Sequence, residues 1–149
     1  MANLIPFAFR GALLSAQHDF ANGGHNFKIA LYSASPYSTS STVYLAGASN
    51  DEVSSGSSSN YVQGGEALSS QAVASGTAVA SVDFGDASWS QATFTAAFAA
   101  IYNSTTVDGT AGRLCVVLDF GGNKTATNGT FTISFPNPST PANAIISMA

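Results

Sequence analysis

The chain contains 149 residues, only 8% of them charged, and its formal net charge at pH 7 is −4, whereas roughly 25% of the residues of an ordinary soluble domain are charged. Its four Lys and Arg residues are too few and too dispersed to displace counterions from nucleic acid or to bind an acidic membrane surface. Most enzymes cluster carboxylates, histidines or cations to move protons and stabilise charge, so this composition argues against catalysis and favours a structural protein.

The first 25 residues form an apolar segment that ends at the pair Gly23-Gly24. The spacing of apolar residues from Phe9 to Phe20 is compatible with a short amphipathic helix and also with an extended arm. Such a segment packs either on its own domain or on a neighbouring molecule. We predict an N-terminal arm at residues 1–25 and a β-domain at residues 26–149, with the arm docked on a neighbouring protein through five large apolar side chains: Phe7, Phe9, Leu13, Leu14 and Phe20.

From Phe27 the apolar residues alternate with a period of two, which is typical of strands. The run Phe27–Tyr32 places three apolar side chains on one face. Residues 42–45 form a second, short strand pattern, and residues 77–84 form a third that ends at Gly85-Asp86. Residues 51–60 are rich in Ser and Gly, so we expect an exposed loop there.

Residues 89–102 fit two patterns. Trp89, Phe94, Phe98 and Ile101 have a loose helical spacing. A strand is also compatible, with Phe94, Ala96, Phe98 and Ala100 on one face and Thr93 and Thr95 on the other. We favour the strand because the neighbouring segments are strands, and it places Phe94 and Phe98 on one face.

The C-terminal third gives the clearest pattern. Residues 114–120 are apolar on nearly both faces, which indicates a central strand, and residues 121–129 are expected to form a long turn. Residues 130–135 alternate strictly, and residues 144–148 form a last strand. We therefore predict an all-β fold, an antiparallel β-sandwich or a jelly-roll-like barrel. Its predicted core contains Phe27, Ile29, Leu31, Val82, Phe84, Trp89, Phe98, Ile101, Leu114, Val116, Leu118, Phe131, Ile133 and Ile145.

Few residues suggest a metal or phosphate site. His18, Asp19 and His25 are the one candidate metal cluster, and their spacing matches no complete set of ligands. Residues 121–125 follow a strand as a phosphate loop does, but they lack the Gly-Lys-Ser/Thr spacing and precede a strand. We predict no metal ion and no cofactor.

Three further candidates have ordinary structural explanations. Asp83 and Asp86 resemble a carboxylate pair for glycoside hydrolysis, but they flank a glycine turn, where Asp is common. Trp89 is expected in the core, with stacking on a carbohydrate as the alternative. Cys115 lies in an apolar run and cannot form an intramolecular disulfide, since it is the single cysteine. We predict no catalytic residues.

Six short pieces of the chain carry a resemblance: Phe27–Tyr32, Asn60-Tyr61-Val62-Gln63-Gly64-Gly65-Glu66-Ala67-Leu68, Val82-Asp83-Phe84 with Trp89, Ile101-Tyr102, Leu118-Asp119-Phe120-Gly121-Gly122 and Asn128-Gly129-Thr130-Phe131. In this order they resemble a group of small virion structural proteins of tailed bacteriophages. The resemblance covers residues 26–148 and implies a capsid decoration (cement) protein, or a tail or head–tail component, that is assembled into virions in the host cytoplasm. It implies the major capsid protein or other virion proteins as partners, and we expect a homo-oligomer.

Overall fold

Two antiparallel sheets and one short helix make up the fold, in a computed structural model that describes residues 3–56, 59–76, 78–136 and 144–148. The predicted all-β, sandwich-like fold with a short helix is confirmed. The elements are α1 (Phe7–Leu14), β1 (Phe27–Tyr32), a short 3₁₀ helix (Ala48–Asn50), β2 (Glu66–Ala67), β3 (Ala72–Ser75), β4 (Ala80–Asp83), β5 (Ala87–Asn103), β6 (Arg113–Ile133) and β7 (Ile146–Met148).

The larger sheet has the strand order β2-β1-β5-β6, and the smaller sheet has the order β3-β4-β7. Strand β1 pairs with β5 along its whole length, from Phe27 opposite Asn103 to Tyr32 opposite Phe98. Strands β5 and β6 form by far the longest pairing, from Ala87 opposite Ile133 to Asn103 opposite Arg113. This long ribbon supports the rest of the fold.

The period of two in β1 divides its side chains between two hydrophobic clusters. Phe27, Ile29 and Leu31 belong to the main core, which also receives residues of the smaller sheet, whereas Ala30 and Tyr32 belong to a second cluster. The larger sheet is therefore buried on both faces around β1. Of the predicted core residues, Phe98, Ile133 and Ile145 are half-buried at its margin and the others are buried.

Strand β5 confirms the strand prediction for residues 89–102, but its alternation is interrupted. The register shifts between Trp89 and Ala92 and again between Ala96 and Phe98, as β-bulges do. Ala96 consequently joins the main core while Phe98 packs against the second cluster. The prediction that Phe94 and Phe98 share one face is wrong for this reason.

Strand β6 runs through the predicted turn at residues 121–129. Gly121 and Gly122 have φ values of +70° and +133°, which glycine adopts without a steric penalty, and they form an irregularity within the strand. The predicted central position of residues 114–120 is also wrong, because β6 is the last strand of its sheet. Its apolar start is instead covered along the edge by backbone hydrogen bonds that Leu4 and Val117 exchange, both 2.8 Å long.

Two further segments differ from their patterns. Residues 42–45 form an isolated bridge, Val43 to Arg113, rather than a strand. Within the predicted exposed loop at residues 51–60, Glu52 and Val53 are buried, and Val53 N donates to Leu31 O at 2.9 Å. This part of the loop therefore follows β1 as extended backbone; residues 57 and 58 lie outside the described residues.

The uncharged surface of the long ribbon is built from paired hydroxyl groups. The hydroxyls of Ser88 and Thr132 lie 2.9 Å apart, and those of Thr95 and Thr125 lie 2.7 Å apart. Each pair joins directly opposite residues of β5 and β6, where cross-strand hydrogen bonds stabilise a sheet. Hydroxyl pairs thus occupy positions where many proteins place ion pairs.

Candidate interaction surface

Helix α1 is fixed to the domain by its inward face. Phe9 is 1% exposed, and its ring centroid lies 5.0 Å from that of His18 and 6.2 Å from that of Phe20. Phe20 in turn stacks on Phe27 of β1 at 4.4 Å. Phe9 and Phe20 are therefore core residues of their own domain, which corrects the expectation that they contact a neighbouring protein. The helix also ends at Leu14 rather than near Phe20.

The outward face of α1 leaves large apolar side chains in solvent. Phe7 is 62% exposed and Leu14 is 92% exposed, whereas Leu13 is half-buried against the core. The guanidinium carbon of Arg10 lies 5.4 Å from the centroid of the Phe7 ring. Of the five apolar residues predicted to contact a neighbour, Phe7 and Leu14 are thus the two that remain accessible.

A groove separates α1 from the edge strand β7, and we call it the α1–β7 groove. Its volume is about 410 Å³, and Met148 at one wall is 60% exposed. Its lining is mostly aliphatic and comprises Ile5, Arg10, Leu13, Leu14, Ser147 and Met148. Exposed apolar surface of this kind, rimmed by polar residues, commonly marks a protein contact site.

The most concentrated polar feature of the domain is a buried carboxylate, that of Glu52, which is 2% exposed. Each of its oxygens accepts two hydrogen bonds: Oε1 from Tyr61 Oη at 2.9 Å and Gly64 N at 2.8 Å, and Oε2 from Tyr44 Oη at 2.8 Å and Gly47 N at 2.7 Å. All four bonds cross between segments that have little regular secondary structure. The carboxylate therefore ties residues 44–64 to one another.

The remaining tyrosines extend this network. Tyr102 Oη donates to Gly64 O at 2.7 Å, and the Tyr102 ring stacks on that of Tyr44 at 4.3 Å. The hydroxyls of Tyr32 and Tyr37 lie 2.6 Å apart. Burial, followed by the negative charge of Glu52, raises the pKa of Tyr102 to about 12. Burial also raises the pKa of Tyr61 above its ordinary value.

This network explains part of the sequence resemblance. Tyr61 and Gly64 both bind Glu52, and Tyr61 Oη also accepts a hydrogen bond from Leu31 N at 3.0 Å. Gly65 has a φ of +69°, and a Cβ atom there would overlap Ile29 O. The motif residues therefore close the fold against β1. Glu52 could not be recognised from the sequence, because a single Glu in a Ser/Gly-rich stretch looks like a solvated side chain.

The two histidines meet at one amide. Asn103 Nδ2 lies 3.1 Å from His18 Nδ1 and 2.9 Å from His25 Nδ1. Burial, followed by the positive charge of Arg113 and then of His25, lowers the pKa of His18 to about 4. Within the described residues, no group of three or more His, Cys, Asp or Glu side chains could hold a metal ion.

The other sequence candidates occupy structural positions. Asp86 Oδ1 accepts a hydrogen bond from Phe135 N at 2.9 Å, while Asp83 lies on β4. Trp89 is 3% exposed and packs against Phe94 and Phe131. Cys115 is buried, and burial raises the pKa of its thiol. Residues 121–125 lie inside β6 and precede more strand rather than a helix.

Comparisons of the chain with protein-family models, with curated proteins and with solved structures found no match. The resemblance to phage virion proteins therefore rests on the residues quoted above and stays a prediction. In the part of the chain that the structure describes, there is no helix whose length and apolar character would let it cross a membrane.

Proposed function

We propose that this chain is a virion structural protein of a tailed bacteriophage, a capsid decoration protein that attaches to the shell through the α1–β7 groove. The observation that carries the proposal is the outward face of α1. The helix is fixed to the core by Phe9, yet it presents Phe7 and Leu14 to solvent, and Leu14 lines the groove together with Met148. An anchored helix with an apolar outer face is preorganised to bind another protein, because little conformational entropy is lost on binding.

The energetics support a protein partner. Covering one large apolar side chain is worth roughly 1.5–3 kcal/mol, so covering Phe7 and Leu14 contributes a few kcal/mol toward attachment, and the rest of the interface must offset the entropy lost on association. The low charge leaves little electrostatic repulsion between neighbouring copies. The proposed partners are the major capsid protein and further copies of this chain, assembled in the host cytoplasm.

A carbohydrate-binding fibre module is less well supported. Such a module needs exposed aromatic rings, but Trp89 is in the core and Tyr32 and Tyr61 are fully buried. We expect blue-shifted Trp89 fluorescence that glycans do not change. A red-shifted emission that glycans quench would instead favour the carbohydrate-binding module.

The decisive measurement is the copy number of this protein relative to the major capsid protein in particles of the phage that encodes it. Many copies spread over the shell are expected. A single ring at a vertex, or a few copies on the tail, would replace decoration by a head–tail adaptor or tail component.

A binding experiment tests the surface separately. Shells that lack this protein are mixed with the purified wild-type chain or with the double variant Phe7→Ser, Leu14→Ser, and bound protein is measured after sedimentation. The variant is expected to lose binding while keeping the wild-type unfolding midpoint. Val62→Ser is the matched control, because Val62 is 73% exposed and does not line the groove. Equal binding of the double variant and the wild type would refute the assigned surface.

A further inference from the structure

A second cavity lies on the other side of α1, next to the start of β6. Its volume is about 200 Å³, which is larger than the roughly 30 Å³ that one water molecule occupies in the liquid. Its walls are partly apolar and partly polar: Ala8, Phe9, Ala12, His18, Thr42, Val43, Thr110, Arg113 and Leu114. None of these lining residues carries a carboxylate, whereas one carries a permanent positive charge.

Two buried nitrogen atoms of these lining residues have no hydrogen-bond partner within the described residues. They are Nε2 of His18 and Nε of Arg113, neither of which a water-sized group touches in this structure, so a ligand in the cavity reaches them only when the cavity wall shifts slightly. Arg113 Nε always carries a hydrogen, so it is a donor without an acceptor. Buried polar groups are nearly always hydrogen-bonded, and an exception calls for a missing partner.

The hydrogen-bond network also assigns the proton of His18. Asn103 Oδ1 accepts a hydrogen bond from Thr105 N at 3.0 Å, which places the NH₂ group of Asn103 toward the histidines. That group donates to Nδ1 of His18 and to Nδ1 of His25. In the neutral ring Nδ1 of His18 is then an acceptor, and its hydrogen lies on Nε2. His18 Nε2 is therefore a second donor without an acceptor.

We propose that this cavity binds a small oxyanion, a carboxylate or phosphate group that accepts hydrogen bonds from His18 Nε2 and Arg113 Nε. The guanidinium supplies the charge that an oxyanion needs, and charge-assisted bonds of this kind are the stronger ones. The hydroxyl groups of Thr42 and Thr110 provide further donors on the walls. Phe9, Val43 and Leu114 provide the apolar surroundings that strengthen such bonds.

The test is a titration of the full-length protein with inorganic phosphate and, separately, with acetate, at constant ionic strength maintained with sodium chloride. The Cε1–H proton signal of His18 is followed by NMR, which is simple because the chain has two histidines. We expect a saturable shift of the His18 signal at millimolar anion. A response to phosphate alone identifies a phosphate ligand, a response to acetate alone identifies a carboxylate ligand, and a response to both identifies a general oxyanion site.

Variants distinguish a site from a general salt effect. Arg113→Gln is expected to weaken binding about ten- to a hundredfold, since it removes a charge-assisted hydrogen bond. Lys124→Gln, on an exposed part of β6, is the matched control and should bind as the wild type does. Thr110→Val, which keeps the side-chain shape, is the second test variant if Arg113→Gln does not fold. It should weaken anion binding severalfold.

The absence of a saturable His18 shift with either anion would overturn the proposal and leave water as the occupant of the cavity. Equal affinity of the wild type and the folded variants would also overturn it. The outcome is independent of the decoration role, because the cavity and the α1–β7 groove share no lining residue.

Discussion

The substitution Glu52→Gln tests whether the buried carboxylate holds the loops together. Each oxygen of Glu52 accepts two hydrogen bonds of 2.7–2.9 Å. A glutamine side chain keeps one acceptor oxygen, but its NH₂ group faces a tyrosine hydroxyl, which can turn to accept from it, and a backbone N–H, which cannot. The same substitution removes the negative charge without changing the size of the side chain.

The expected loss follows from these contacts. One hydrogen bond is lost and the other three no longer involve a charged group; hydrogen bonds to a charged group are worth about 1.5–3 kcal/mol each, and relief from burying the charge offsets part of the loss. We expect the free energy of unfolding to fall by about 3 kcal/mol. Domains have total stabilities of about 5–15 kcal/mol, so the variant should fold with a melting temperature lower by about 6–12 °C.

Urea unfolding followed by Trp89 fluorescence measures this loss, and the chain supplies a matched control. Its other glutamate, Glu66, is exposed on β2, so Glu66→Gln should change stability by no more than about 0.5 kcal/mol. Tyr61→Phe should be intermediate, since it removes one donor to Glu52 and the acceptor of Leu31 N. If Glu52→Gln is as stable as Glu66→Gln, the network does not stabilise the fold.

Four further predictions follow from burial. In a spectrophotometric titration, Tyr102 should ionise near pH 12. Because folding raises the pKa of Tyr102, the free energy of unfolding should fall as the pH rises above about 10, the pKa of an unfolded tyrosine. Because the pKa of His18 is lowered to about 4 in the folded protein, neutral His18 contributes to the free energy of unfolding above pH 6.5. That contribution, up to about 3 kcal/mol, is lost as the pH falls from 6.5 toward 4. Urea unfolding of the wild type and of His18→Phe, each at pH 7 and at pH 4, measures the contribution of His18. Phe9→Ala should cost about 3–5 kcal/mol, whereas Phe7→Ala should change stability by at most about 0.5 kcal/mol, as thermal unfolding would show. The thiol of Cys115 should react with a thiol reagent only after denaturant unfolds the protein; rapid labelling of the native protein would contradict its burial.

The sequence predicted the fold class because alternation is a local signal. In β1 every second residue faces the main core, so Phe27 and Ile29 could be assigned without knowing the rest of the fold. The bulges in β5 could not be predicted, because the left-handed conformation of Gln91, with φ of +52°, is unusual for that residue type. The continuation of β6 through Gly121 was missed for a related reason, since paired glycines more often mark a turn.

The interaction surface was predicted only in part. The apolar character of the first segment was evident, but the helix spacing could not show which side chains its own domain would cover. Phe9 is buried against Phe20, and Phe20 stacks on Phe27 at the start of β1; both contacts are set by tertiary packing. Phe7 and Leu14 remain in solvent because they occupy the opposite side of a helix only eight residues long.

The residues that carry the resemblance differ in kind from those that carry the proposed interaction. Tyr61 and Gly65 are fixed by the Glu52 network and by close packing on Ile29, so substitution at these positions acts first on stability. Phe7 and Leu14 precede the part of the chain that the resemblance covers, and their side chains are free of the core. Two proteins could share the motif as a requirement of the fold and still bind different partners. The function of this chain is therefore decided by experiments on the outer face of α1, and the motif residues serve best as tests of the fold.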